Sequence, residues 1–409
     1  MHIGFYCSGW PVNQFPNGIV TYVHSLRKEL LEQGHRVSVF ASQIGNSNTD
    51  AGIHLVTTPT ARKFSGKLAR LLRIDQQEVF EWGKAIAKKV NAVHTADPLD
   101  AFEMEESFGW CGDVQLSVPI PVIVKLHGPE FLTQIAAYGQ PELAAVRVRK
   151  EGEGLRKIRA IVSPAACTLQ RTVEHYALRP QIEQVIPNPV VVDPEMEEWQ
   201  FDTCDKKTLL FVGQFSKVKG GDIMLLAFQR LLERDPNLKL VFVGPDRGIP
   251  GTDQSSTSFR EFQDSLFTDA AIRKIRYMGQ IPRNDVFGLR TSSAVTIVVS
   301  RWENQPNTAL EAMAQGCPVV AFNSGGIGEI IHHGTTGLLA RPGDIEDLCA
   351  QIMSVLSDPA GAARMGSNAR EYVLRRHSVQ RVASEALHVY ARAVSLADTA
   401  TRGIIGSKQ

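Results

Sequence analysis

SRWENQPNTALEAMAQGCPVV, residues 300–320, is the stretch on which the reading of this chain turns. The apolar run 294–299 before it reads as a buried strand. The polar segment around Pro306 reads as a loop, and residues 308–314 as a helix that Asn307 can cap. Residues 318–322 form the next apolar run. Strand, loop, helix, strand is the repeating unit of a parallel sheet. In that unit Glu303 falls at the carboxyl edge of the sheet, and Glu311 falls in the first helical turns beside it. Carboxylates so placed accept hydrogen bonds from a hydroxyl-rich ligand, and the helix amides between them suit a phosphate. Taken alone, the pair is equally compatible with a helix that has an ordinary acidic first turn.

The same rhythm extends in both directions. Upstream, residues 3–6, 37–40, 53–56, 90–93, 122–126 and 160–162 read as short strands of the parallel type, with residues 185–186 closing that half. Several end at a polar side chain: His94, His127, Ser163. Residues 19–31 read as an amphipathic helix with Ile19, Val23, Leu26 and Leu30 on one face. Residues 193–206 are polar and acidic and are read as a linker. The rhythm then restarts, with strands at 208–212, 240–243, 275–278, 294–299, 319–322 and 337–340. Helices alternate with them at 222–233, 284–289, 308–314 and 345–356. Residues 245–258, rich in Gly, Ser, Thr, Asp and Pro, read as a mobile surface loop.

A length of 409 residues exceeds what one hydrophobic core serves. The expected fold class is α/β, with two Rossmann-like doubly wound domains facing across a cleft. Their expected bounds are 1–195 and 206–378, followed by a helix and tail at 379–409 that cross back to the first domain.

Composition narrows the function. Lys plus Arg is 44 against 43 Asp plus Glu, which argues against a nucleic-acid partner. Six scattered cysteines without a CxxC pair fit a reduced, cytoplasmic setting. No run approaches the ~20 apolar residues of a membrane span. No HExxH or DxD cluster points to a metal.

Other segments add chemistry. VGQFSKVKGG, residues 212–221, places Lys217 and Lys219 before a glycine pair and a helix start, a setting suited to a diphosphate. It is not a Walker A loop. NSGGIG, residues 323–328, can cover a phosphate or make a tight turn. His127 at a strand's carboxyl edge, followed by Gly128, can bond a sugar hydroxyl or serve as a structural turn histidine; His94 is a weaker counterpart. The loop 13–18 would present Gly18 and nearby amides toward the same cleft. Residues 60–73 hold Arg62, Lys63, Lys67, Arg70 and Arg73 with no acid, so contact with anionic lipid at the inner face of the membrane and a solvated helix both fit.

The ordered set of these motifs resembles the retaining glycosyltransferases of GT-B fold, within them glycosyltransferase family 4. The resemblance covers nearly the whole chain and is most specific from Glu303 through Asp344. It implies residue roles. Glu303 would lie near the donor sugar and Glu311 would hold the nucleotide ribose. Lys219 would neutralise the donor diphosphate, with Gly213, Gln214, Lys217 and Gly244 around it. Amides at Asn307 and Thr308 would face the phosphate. His127 would approach the transferred sugar, and Gly18 matches a glycine of the first loop, with Asn17–Gly18 in place of the usual glycine pair. His127, Lys219 and Glu303 are thus the expected catalytic group. The partners implied are a nucleotide diphosphate sugar and a hydroxyl acceptor, with no cofactor. One departure stands out: where the family's loop carries arginine, this chain has Gln214. A sugar-nucleotide epimerase of the same build, or a binding protein without turnover, are the competing readings.

Overall fold

The computed structural model describes residues 1–409 except 16, 46–49, 59–73, 137–140, 193–196, 252–254 and 407–409. The basic segment 60–73 therefore lies outside the described residues. The chain divides into two compact units. Unit 1 is Met1–Phe131, Pro141–Pro189 and Val379–Gln409; unit 2 is Leu132–Gln140 and Val190–Ser378.

Unit 1 is built on seven parallel strands: β1 (His2–Cys7), β2 (Arg36–Ala41), β3 (Ile53–Leu55), β4 (Ala101–Glu105), β5 (Val122–Lys125), β6 (Ala160–Ser163) and β7 (Ile182–Val185). Their order is β3-β2-β1-β4-β5-β6-β7. The winding direction reverses between β1 and β4, which opens a crevice at the carboxyl ends of those two strands. Both faces of the sheet are covered. Ile3, Phe5, Val37 and Val39 pack with Val20, Val23, Leu26 and Leu30 of the helix Gly18–Glu32. The final helix, Val379–Gly406, joins them through Val382, Ala386, Val389 and Tyr390. Tyr6, Phe40, Phe102 and Met104 pack the other face against Ile86, Val90 and Trp110. Alternate strand residues thus serve opposite layers, as the pleat requires.

Two local readings need correction. Residues 90–93 are not a strand: they lie inside the helix Ile74–Ala96. Ile86 and Val90 are buried one helical turn apart, so the helical period outweighs the short apolar run. His94, in the last turn, accepts the Leu99 N–H at Nδ1 (3.1 Å) and so ties down the segment that follows the helix. Strand β4, AFEME, has no counterpart among the expected strands. Its glutamates suggest a solvated segment, yet all five residues are buried.

Unit 2 repeats the plan with β8 (Asp205–Val212), β10 (Lys239–Val243), β13 (Ile275–Tyr277), β14 (Ser293–Val298), β15 (Val319–Phe322) and β16 (Leu338–Ala340). The order is β13-β10-β8-β14-β15-β16, all parallel, with the reversal between β8 and β14. A small sheet flanks it: β9 (Phe215–Ser216), β11 (Asp246–Pro250) and β12 (Ser256–Thr257) in the order β12-β11-β9. Part of the segment expected as a loop at 245–258 is therefore strand. Asp246 fixes it by accepting the Phe259 N–H (2.8 Å), and Phe259 stacks on Tyr277. No helix among the described residues is long and apolar enough to cross a membrane, and no disulfide joins any of the six cysteines.

Phe228, on the helix Gly221–Arg234, is fully buried and meets the Phe267 ring at 6.2 Å. Phe228→Ala should lower the stability of unit 2 by about 3–5 kcal/mol. Urea unfolding followed in this unit checks it; a loss below about 1 kcal/mol would contradict the packing described.

Candidate active site

The reversal between β8 and β14 sends two loops out of neighbouring strand ends. The first carries Gly213, Gln214, Lys217 and Lys219; the second carries Glu303. They meet in an ion pair, with Lys219 Nζ donating to Glu303 Oε1 at 2.5 Å. Ser300 Oγ donates to the same oxygen at 2.7 Å. Both bonds fall on Oε1, so Oε2 remains as an acceptor for a ligand. Glu303 is mostly buried, with 12% of its side chain exposed, whereas Lys219 is 36% exposed.

The first loop is held by a residue that the sequence reading passed over. Arg301 forks onto Asp222, Nη1 to Oδ1 at 2.8 Å and Nη2 to Oδ2 at 2.7 Å, and also donates to the Lys217 carbonyl. Its own N–H donates to Val218 (2.9 Å). Gln214 is exposed on the same loop. A guanidinium does reach this turn, that of Arg301, pinned by a carboxylate and not supplied from position 214.

Two glycines are set by contact. Gly325 has φ +56°, and a Cβ there would lie 2.0 Å from the Glu303 carbonyl oxygen. The neighbouring Gly326 N–H donates to that oxygen at 2.9 Å. The NSGGIG loop is thus a brace behind Glu303, further tied by Ser324 Oγ to the Ser300 carbonyl (2.7 Å). Gly244 has φ +141°, and a Cβ there would meet the Gly213 carbonyl at 2.0 Å, so these two strand ends touch backbone to backbone.

The helix Asn307–Ala314 has Pro306, not Asn307, at its N-cap position. Asn307 is its first residue and makes no capping bond, which corrects the sequence expectation. Proline has no side-chain acceptor, so the amides of Asn307 and Thr308 are not capped by the preceding side chain. Glu311 lies one turn on. Arg290 Nη2 donates to its Oε2 (2.6 Å) and Arg283 Nε to its Oε1 (2.9 Å). Burial opposes ionisation of Glu311, but Arg290 and Arg283 outweigh it and hold the carboxyl below its ordinary range. Arg290 is fully buried, while Arg283 is 43% exposed.

Unit 1 brings a different group to its own crevice between β1 and β4. Gly18 opens the first helix, exposed, and Asn17 accepts the Val20 N–H (2.9 Å). His127 follows β5, half-buried, with its ring edge-on to Tyr22 at 5.4 Å. Burial and the adjacent Lys125 push its imidazole down to about 3, so it is neutral at physiological pH. Glu106 lies just past β4 and escaped the sequence reading. It accepts the His127 N–H (2.9 Å) and the Gly128 N–H (2.7 Å). Glu151 accepts the Glu130 N–H and the Tyr176 hydroxyl nearby. Burial first, then a neighbouring carboxylate, raises both carboxyls: Glu105 acts on Glu106, and Glu106 acts on Glu151. Lys125 is fully buried, bonds the Ile186 carbonyl (2.8 Å) and is pushed down to about 8, chiefly by burial. The signal for this group was the spacing in AFEMEES, where glutamates interrupt an apolar alternation.

Among the described residues no cluster of His, Cys, Asp and Glu could hold a metal ion. A sequence model of glycosyl transferases group 1 matches residues 195–372, and a model of Glycosyltransferase Family 4 matches residues 16–194. The chain is 31% identical to an uncharacterized glycosyltransferase of Methanocaldococcus jannaschii, over 47% of this chain and 46% of that protein. It is also 31% identical to a glycogen synthase of Mycobacterium tuberculosis, over 48% of this chain and 46% of that protein. The chain spans about half the length of these curated relatives. Its fold is similar to that of a sucrose-phosphate synthase from Thermosynechococcus elongatus, with a TM-score of 0.76, 18% identity, and coverage of 97% of this chain and 99% of that one.

Since Glu106 and Glu151 have pKa values raised above the ordinary 4.5, the folded chain holds more protons than the unfolded one as the pH rises past 4.5. Stability is therefore lost as the pH rises through that interval. Glu106→Gln should flatten this slope. Urea midpoints of unit 1 measured across the pH range test it, and an unchanged slope would sink the assignment.

Proposed function

We propose that this chain, which has the GT-B fold and is related to glycosyl transferases group 1 and to glycosyltransferase family 4, moves a hexosyl group from a nucleotide diphosphate sugar to a hydroxyl acceptor. The observation that carries this reading is the Lys219–Glu303 pair at the reversal of the unit 2 sheet, beside the start of the helix Asn307–Ala314. An ammonium group and helix amides suit a diphosphate. The open Oε2 of Glu303 suits a sugar hydroxyl. Glu311, kept ionised by two guanidinium groups, suits a ribose hydroxyl, with the half-exposed Arg283 as the partner able to make room.

In this mechanism the bond between the anomeric carbon and the diphosphate oxygen breaks, and its electron pair leaves with the diphosphate. Lys219 and the amides of Asn307 and Thr308 stabilise that charge. The acceptor oxygen bonds to the same face of the sugar, and its proton passes to the departing phosphate. The configuration is retained. His127, neutral, offers a hydrogen bond to the transferred sugar without adding charge. No step calls for a metal ion.

A second reading has one observation in its favour. Gln214 is uncharged and exposed where the resemblance expects arginine, which fits a protein that binds a sugar nucleotide without turning it over.

A panel of UDP, GDP and ADP sugars, read by released nucleotide and by mass spectrometry of the product, separates the two. Turnover in chelator with a retained anomeric centre is the expected result. Nucleotide binding without turnover across acceptors would leave only the second reading. Lys219→Ala should lower kcat about 10²–10³-fold, the scale of one lost charge-stabilising donor. Lys217→Ala reports whether that side chain replaces the missing arginine: a drop in kcat is expected, and an unchanged rate with intact donor binding would rule the role out.

A further inference from the structure

Unit 1 has a second concavity, at the opposite end of its sheet from His127. Its floor includes the first residues of three adjacent strands, Val122, Ala160 and Ile182. The proline-bounded segment 118–121 forms one wall, and the final helix forms the other through Ala393 and Leu396. The cavity volume is about 310 Å³. That lies at the lower end of the range, about 300–1,000 Å³, in which proteins hold small molecules. It is too small for a lipid with two chains.

Two properties distinguish it from a casual groove. Leu116 is 70% exposed and Leu396 is 37% exposed, and both line this cavity. A single exposed leucine needs no explanation, but two converging on one concavity form an apolar surface awaiting cover. The charged lining is of one sign. Lys157 and Arg159 both line the cavity, both are exposed, and neither has an ion-pair partner among the described residues. Among the described residues no carboxylate lines it. The backbone beneath the cations is fixed: the Arg159 carbonyl accepts the Gln181 N–H (2.8 Å) and the Ile182 N–H (3.0 Å). Gln115, in the wall, accepts the Val122 N–H through Oε1 (3.1 Å), which leaves its amide nitrogen as a further donor.

We infer that this concavity binds an amphipathic organic anion, a carboxylate on one unbranched alkyl chain. The carboxylate lies on Lys157 and Arg159, and the chain lies along Leu116, Pro119 and Leu396. Apolar walls, a cationic rim of one sign and a volume suited to a single short chain each select for this chemistry. The site exists only where the strand starts and the final helix come together, so binding stabilises the folded state of unit 1 by mass action. The inference does not depend on the reaction proposed above.

Decanoate, titrated into the full chain below its micelle concentration, is the probe, followed by calorimetry and by the shift in melting temperature. Decanol and decyltrimethylammonium, with the same chain and a neutral or cationic head, are the controls. Decanoate is expected to bind and raise the melting temperature, with decanol weaker and the cation without effect. The double variant Lys157→Ala/Arg159→Ala should weaken decanoate at least tenfold, and Leu116→Ser should weaken it with both cations intact. These side chains are exposed, so the variants should keep the ligand-free melting temperature. Equal binding of decanoate by the double variant overturns the inference. So does equal binding of the cationic surfactant, or attachment to phosphatidylglycerol vesicles with no binding of monomeric decanoate.

Discussion

The site in unit 2 depends on one constraint: in a parallel sheet, the point where the winding reverses leaves two strand ends whose loops diverge. Something must fill and fix that gap. Here Lys219 and Glu303 do so, and nearly every other feature of the site supports one of the two. Arg301 and Asp222 hold the turn that presents Lys219. Ser300 and the glycine brace hold Glu303 from behind. The ion pair itself is partly open to solvent, so its contribution to stability is modest. Its importance is geometric, because it sets the distance between a cation suited to phosphate and a carboxylate suited to hydroxyl groups.

Unit 1 meets the same reversal with a different solution. Its crevice is lined by buried carboxylates, not by an open ion pair. Glu106 spends its oxygens on the amides of His127 and Gly128, and Glu103 accepts the Tyr390 hydroxyl at 2.8 Å. A buried carboxylate is tolerated only where hydrogen bonds replace its water. The result is a rigid mount for an imidazole that burial keeps neutral. The two units therefore carry similar topologies but line their crevices differently: unit 2 with an ion pair partly open to solvent, unit 1 with buried carboxylates.

Much of this was legible in the sequence because parallel strands buried on both faces leave short apolar runs that punctuate the chain. Glu303, Glu311, Lys219 and the glycine loops lie where those runs end, and the expected positions follow from that. The departures have physical causes. AFEME hid because a strand's inward glutamates look the same as solvated ones until their hydrogen-bond partners are known. Residues 90–93 misled because four apolar-rich residues cannot distinguish a strand from one helical turn. Arg283, Arg290 and Arg301 were silent because an ion pair across 21 to 79 residues leaves no local pattern.

Unit 1 is also not continuous along the chain. Its final helix arrives only after all of unit 2 has been passed, yet it supplies Tyr390 to Glu103 and an apolar stripe to the first helix. During synthesis residues 1–189 therefore emerge from the ribosome with one layer of their sheet covered only by the helix Gly18–Glu32, and with Glu103 lacking the Tyr390 hydroxyl. They must wait through the making of residues 190–378 before that layer is closed. An expression boundary drawn between the two sheets would leave this fragment in the waiting state permanently. A soluble unit 1 would require residues 379–406 to be grafted back or supplied as a separate peptide.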